Sequence, residues 1–243
     1  MKTLLIIQAR MGSTRLPGKV LSPLGHATVL DYVLERSREI VGVSEVCVAT
    51  STLPGDAAIV RFCAERAVRC VRGSETDVLA RFCDAARLYD PQCVVRVTAD
   101  CPFLDIELAN RAVQAMDSAP VDLVRVVEGE QLPRGLLVEA FSYAALQWMN
   151  LHTTQARHRE HVTYYMYEYP KDFRFGYIAA PVQLHHPELR LTVDTPEDLA
   201  LARRVADAFA GDALVPARRI VQWLLEHPDI AALNAHVQQA PVV

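Results

Sequence analysis

Apolar residues in the first half of the chain fall into short runs rich in β-branched residues, separated by stretches in which apolar positions recur every three or four residues. Alternation of this kind predicts a parallel sheet covered by helices on both faces, because buried strands read as continuous apolar runs and the crossovers as amphipathic helices. Five strands are expected there: Thr3 to Ala9, Glu45 to Ala49, Val68 to Val71, Cys93 to Thr98 and Asp122 to Val127. Helices are expected near Val29 to Val41, Asp56 to Ala67, Asp77 to Tyr89 and Ile106 to Met116; Val29, Leu30, Val33, Leu34 and Ile40 show the spacing well.

The pattern loosens after Glu128, through a Gly/Pro-containing turn at residues 131–135 and a polar stretch from Leu151 to His161. An inserted subdomain over about 130–185 is the reading, either packing a small core of its own or offering its aromatic segment Tyr164 to Tyr177 as a lid or interface. Regular structure is expected to resume as a strand from Leu189 to Val193. Thr195, Pro196 and the acids Glu197 and Asp198 then start a helix running to about Phe209, since a hydroxyl N-cap, a proline in the first turn and early carboxylates all favour a helix N-terminus. A last helix is expected near Pro216 to Glu226.

Composition narrows the function. With 25 Lys+Arg against 29 Asp+Glu the formal net charge is −4, which argues against a general polyanion binder and so against nucleic acid as partner. At 243 residues and 51% hydrophobic content the chain can bury a sizeable core as a single domain, 1–243, around the 130–185 insertion. Six cysteines, at 47, 63, 70, 83, 93 and 101, include no C-x-x-C pair and no zinc-type spacing, and read as reduced, mostly buried thiols. The apolar run at the amino terminus is short for a signal peptide and fits a strand, and no run spans a membrane, so a cytoplasmic protein is expected.

The strongest chemical signal follows the first strand: Gln8-Ala9-Arg10-Met11-Gly12-Ser13-Thr14-Arg15-Leu16-Pro17-Gly18-Lys19. Arg10, Ser13, Arg15 and Lys19 offer guanidinium forks, a hydroxyl and an ammonium, while Gly12 and Gly18 let backbone N–H groups approach a phosphate. A loop at the carboxyl edge of a parallel strand is where such a ligand collects; the competing reading is a solvated basic turn. Neither the G-x-x-x-x-G-K-[ST] nor the G-x-G-x-x-G spacing is present.

This loop resembles the activating loop of the acylneuraminate and Kdo cytidylyltransferases, the SpsF type of spore-coat polysaccharide biosynthesis being the nearest branch. The resemblance continues through Val48-Ala49-Thr50-Ser51, Arg72-Gly73-Ser74-Glu75-Thr76-Asp77-Val78-Leu79-Ala80-Arg81, Arg96-Val97-Thr98-Ala99-Asp100-Cys101-Pro102, Pro133-Arg134-Gly135-Leu136-Leu137-Val138-Glu139, Glu160-His161-Val162-Thr163 and Leu191-Thr192-Val193-Asp194-Thr195-Pro196-Glu197-Asp198, in order along nearly the whole chain. It implies a Rossmann-like nucleotide-diphospho-sugar transferase fold, and transfer of CMP from CTP to a sugar hydroxyl, commonly of an acidic sugar, with release of pyrophosphate for surface polysaccharide or glycan synthesis. Arg10, Lys19 and Asp100 would serve catalysis; Asp100 and Asp194 would hold Mg²⁺, each standing beyond a predicted strand, with a turn and a helix cap as their structural alternatives. Thr50, Arg72, Ser74 and Arg81 would join Arg10, Gly12, Ser13, Arg15 and Lys19 on the nucleotide, with Arg81 otherwise an ordinary surface arginine. Arg134, Glu139, Glu160 and His161, with Arg157 and Arg159 nearby, would meet the acceptor, and pairing of two copies through the insertion would make a homodimer.

Met11-Gly12-Ser13-Thr14-Arg15 departs from the Gly-Gly-Ser-Lys pattern of the sialic-acid enzymes, which speaks against sialic acid itself as acceptor. Two other functions fit such a sheet: a glycosyltransferase consuming a nucleotide sugar, and a nucleotide-binding homologue without activity. The first usually carries an Asp-x-Asp pair, absent from this chain, and the second would not be expected to keep Arg10, Arg15, Lys19, Asp100 and Asp194 together.

Overall fold

The computed structural model describes residues 1–127 and 129–239 of the single domain expected over 1–243. After β1 (Thr3–Gln8), β2 (Pro23–Leu24) and β3 (Ala27–Thr28) form a small antiparallel hairpin; β4 (Glu45–Ser51), β5 (Arg69–Gly73), β6 (Cys93–Thr98), β7 (Leu123–Val126), β8 (Glu139–Ser142) and β9 (Phe175–Ile178) join β1 in one seven-stranded sheet. Its order is β5-β4-β1-β6-β8-β7-β9. Strands β5, β4, β1 and β6 run parallel, β8 lies antiparallel between β6 and β7, and β9 pairs parallel with β7. The α/β class and the mostly parallel sheet are as the hydrophobic pattern predicts.

The helices are α1 (Val29–Arg38), α2 (Ala57–Glu65), α3 (Val78–Arg87), α4 (Ile106–Ser118), α5 (Tyr143–His152), α6 (Ala156–Glu160), α7 (Tyr164–Glu168), α8 (Pro196–Ala208), α9 (Ala217–Glu226) and α10 (Pro228–Ala231). Because successive side chains of a strand point to opposite faces, Leu5 and Ile7 enter one core with Leu30, Val33 and Phe62, whereas Leu4 and Ile6 enter another with Phe82, Phe141 and Met149. Burial on both faces explains why β1 is a continuous apolar run. Helix α1 starts at a capping box between Thr28 and Asp31, and α8 at one between Thr195 and Asp198, with Pro196 in its first turn as expected. Among the described residues no helix is long and apolar enough to cross a membrane.

Two features differ from the sequence reading. Residues 189–193 are not a strand: Arg190 makes one isolated bridge to Arg134, and the segment's N–H groups are divided between partners, Leu191 donating to the Arg134 carbonyl and Val193 to that of Asp100, each at 2.7 Å. No single neighbouring strand offers a ladder. The segment 130–185, in turn, contributes β8 and β9 to the main sheet, and its Phe141, Leu146, Met149, Val162 and Met166 share the core of Leu4, Ile6 and Phe82 instead of packing a core of their own. Trp148, Tyr165, Tyr169 and Phe173 pack against one another in tilted and edge-to-face pairs on this side.

Candidate active site

The loop from Arg10 to Lys19 is pinned at both ends. The Ala9 N–H donates to the Ala49 carbonyl (3.0 Å), and the Met11 N–H to Oδ1 of Asp56 (2.7 Å), a buried carboxylate that also accepts from the N–H and hydroxyl of Ser51. Those hydrogen bonds outweigh the burial that opposes ionisation, and Asp56 titrates below its ordinary range. At the far end the Gly18 N–H closes back on the Met11 carbonyl (3.0 Å) with φ of +73°, a left-handed conformation that glycine adopts without strain. Lys19 then begins a single 3-10 turn that aims its side chain across the carboxyl edge of β1 and β6.

Lys19 Nζ donates to Asp100 Oδ2 and to Asp194 Oδ1, both at 2.6 Å. Burial disfavours the ammonium, but the two carboxylates outweigh it and hold Lys19 above its ordinary pKa. Burial likewise opposes ionisation of Asp100, and the charge of Lys19 reverses the balance, keeping this carboxyl below the usual range. Asp100 sits in the turn after β6, and its carbonyl accepts the Val193 N–H and the Thr192 hydroxyl, which brings Asp194 to the same point from 94 residues further along the chain. Arg15 reaches Asp194 Oδ1 at 3.3 Å.

Around this centre opens a cleft of about 1390 Å³, with Arg10, Gly12, Ser13, Arg15, Lys19, Asp100 and Asp194 among its walls, together with Arg134 and His161. Burial, helped by the charges of Arg96 and Arg10, lowers the His161 pKa. Glu139 and Glu160 are outside the lining but each contacts an arginine within it. Glu139 accepts from Arg96 (2.6 Å), Thr163 (2.7 Å) and Tyr167 (3.0 Å), and Glu160 lies 3.8 Å from Arg10. Nine of the expected positions therefore line one cleft and two more hold residues that do.

The four remaining nucleotide candidates are not on the cleft surface. Thr50 is fully buried; Arg72 donates to the carbonyls of Ser51 and Leu53; the Ser74 hydroxyl accepts the Asp77 N–H. Arg81 is 1% exposed, far from the surface arginine that its helix position suggests. Its Nη1 donates to the Ser74 carbonyl (2.8 Å), its Nε and Nη2 have no partner among the described residues, and burial pushes its pKa down to about 10. Arg157 and Arg159 are engaged elsewhere, with Glu168 and with Asp77.

Sequence reasoning overlooked Gln8 and Arg96, which sit on the cleft floor hydrogen-bonded to each other at 3.2 Å, and the segment from Asn234 to Gln239, part of which forms a wall. Arg96 carried a signal in its position two residues from the end of a strand that reaches the site; the carboxyl-terminal segment carried none.

Among the described residues no group of three or more His, Cys, Asp or Glu side chains could hold a metal ion. The donor set for a hard cation is thus the carboxylate pair Asp100 and Asp194, which already converges on one positive atom. That pair fits an ion that takes one or two carboxylates and fills its remaining positions with water and substrate oxygens.

Comparison with known proteins supplies the context. A family model described as cytidylyltransferase matches residues 4–220. An uncharacterized protein of Methanocaldococcus jannaschii, MJ1063, is 37% identical over 242 residues, covering 98% of this chain and 97% of its own. The spore coat polysaccharide biosynthesis protein SpsF of Bacillus subtilis is 33% identical, covering 94% and 96%. A solved cytidylyltransferase structure from Leptospira borgpetersenii superposes with a TM-score of 0.88 at 28% identity, over 99% of both chains. With the family model matched over residues 4–220 and these relatives along its length, the chain belongs to the cytidylyltransferase family, in its SpsF-like branch.

Proposed function

We propose that this protein transfers CMP from CTP to a hydroxyl of an acidic sugar, releasing pyrophosphate, for the synthesis of a surface polysaccharide or glycan. The observation that carries the reading is the convergence of Lys19, Asp100 and Asp194 beside the glycine-containing basic loop. In the reaction the sugar hydroxyl oxygen forms a bond to the α-phosphorus of CTP and releases its proton to water, while the bond from that phosphorus to the bridging oxygen breaks, and the charge that develops on pyrophosphate needs fixed cations. Arg10, Arg15 and Lys19, with the Ser13 hydroxyl and the N–H of Gly12, supply them. Mg²⁺ held by Asp100 and Asp194 would add neutralisation of the phosphate oxygens.

Arg81 supports a place for the base: its two unpartnered nitrogens, beside the end of β5 and the turn that bears Ser74, are donors of the kind a cytosine carbonyl accepts from. Thr50, the register neighbour of Arg72 in the adjacent strand, is buried with its hydroxyl likewise unpartnered among the described residues. On the opposite wall Arg134 and His161, backed by Glu139 and Glu160, face the acceptor, an arginine fork matching a carboxylate and the other groups matching hydroxyls. The exposed aromatic side of the 130–185 segment, with Trp148 at 38% and Leu151 at 78% exposure, is the surface through which two copies pair. A site of action in the cytoplasm, where CTP is supplied, completes the reading.

The test is a thermal-shift series with CTP, UTP, ATP and GTP, each with and without Mg²⁺, followed by pyrophosphate release with CTP and a panel of acidic and neutral sugars. A rise in midpoint confined to CTP, and release that depends on an acidic sugar, is the expected result. Stabilisation by a nucleotide sugar and by no triphosphate would overturn it in favour of glycosyl transfer. Light scattering at micromolar concentrations checks the pairing, and a single species of monomer mass would refute it.

A further inference from the structure

We propose that Arg190 is a positioning residue for Asp194, and that the carboxyl-terminal segment 234–239 is the clamp that holds Arg190 in place. The inference rests on the reading of Asp194 as a metal ligand and deepens it.

Arg190 is 7% exposed and spends its planar fork on three acceptors from two parts of the chain, the start of α8 and the carboxyl-terminal segment. Nη2 donates to Asp194 Oδ2 at 2.6 Å, Nε to Asp198 Oδ1 at 3.0 Å and Nη1 to the side-chain oxygen of Gln239 at 3.1 Å. Its own carbonyl accepts Nδ2 of the buried Asn234 at 3.0 Å, and the same amide reaches Asp198 Oδ1 at 2.8 Å. Asp198 Oδ2 in turn takes the Asp194 N–H at 2.9 Å. Asp194 is thereby fixed at its backbone and at Oδ2, which leaves Oδ1 as the oxygen turned toward Lys19 and Asp100. A flexible ammonium cannot occupy these three directions at once, so the arrangement is specific to arginine.

The clamp lies past residue 220, where the match to the family model ends, yet Asn234, Ala235, Val237 and Gln239 all face the cleft. The tail of this chain therefore adds both a wall and a support for one carboxylate, a role comparable to the outer hydrogen bonds that orient metal-bound carboxylates elsewhere.

The test measures binding of Mn²⁺ by electron paramagnetic resonance, with and without CTP, for the wild-type chain of 243 residues and for Arg190→Lys, Gln239→Ala and Asp194→Asn, each checked for fold by circular dichroism. Arg190→Lys is expected to weaken Mn²⁺ binding about tenfold or more. Gln239→Ala, which removes one neutral acceptor at an exposed position, is expected to weaken it about threefold. Metal-free CTP binding should change little in either. Unchanged Mn²⁺ binding in a folded Arg190→Lys, alongside loss in Asp194→Asn, would overturn the positioning role and leave the ligand role standing. If Arg190→Lys does not fold, unchanged binding in Gln239→Ala overturns the clamp. Equal Mn²⁺ binding by wild type and Asp194→Asn would remove the metal reading and this proposal with it.

Discussion

Lys19 is the side chain on which the site turns, because it balances two carboxylates in the folded protein and lies in the loop that would meet a triphosphate. Lys19→Ala is expected to lower turnover about a hundredfold or more, the scale of a lost preorganised charge in group transfer, as measured by pyrophosphate release. The carboxylates give a second expectation. Asp56 and Asp100 both titrate below 3.8 in the folded chain, so each contributes stability that is fully present above that value and is lost as the pH falls through the folded pKa. Denaturant unfolding between neutral pH and about pH 3 should show this loss, and Asp56→Asn should flatten the acid limb. The basic loop was legible at this scale because its charges are contiguous. Arg81 was not, since helix position alone does not report that a guanidinium is buried.

Among the elements, the loops depend on contacts that are distant in sequence. Asp56 stands just before α2 and fixes the start of the basic loop, so Asp56→Ala should cost about 2–4 kcal/mol by leaving buried donors unpaired; the same variant should raise the KM for CTP more than it lowers kcat. Gly135 has φ of +102°, and a Cβ there would come within 2.8 Å of the backbone of Leu191 and Thr192. Gly135→Ala is therefore expected to destabilise the chain by about 1–3 kcal/mol, read by chemical denaturation. The parallel strands β1, β4 and β6 announced themselves as apolar runs, whereas β8 and β9 are four residues each, carry Glu139 and Gly176, and depend on neighbours to become strands. The opposite error at residues 189–193 has the same cause: an apolar alternation is necessary for a strand, and a neighbour with free hydrogen-bonding groups is needed too.

For the whole molecule, buried Arg36 ties α1 to the turn after β6 and to the arm before α9, donating to the carbonyls of Leu104 (2.8 Å), Ala213 (2.6 Å) and Val215 (2.9 Å). Burial pushes its pKa down to about 10, still well above neutrality. Arg36→Met, which leaves these carbonyls without a partner away from the cleft, should lower unfolding free energy by about 3 kcal/mol or more while kcat is retained. The reversed direction of β8 has a broader consequence. Arg96 at the end of β6 pairs with Glu139 at the start of β8, so the two halves of the cleft are delivered by chain segments entering the sheet from opposite ends. The wall proposed for the nucleotide comes mainly from residues up to 101, and the facing wall mainly from those after 128. A chimera that exchanges the stretch from the turn at 129–131 to the end of β9 between relatives, with Arg96 and Glu139 kept as the seam, should therefore carry over the donor's sugar preference without changing the choice of nucleotide.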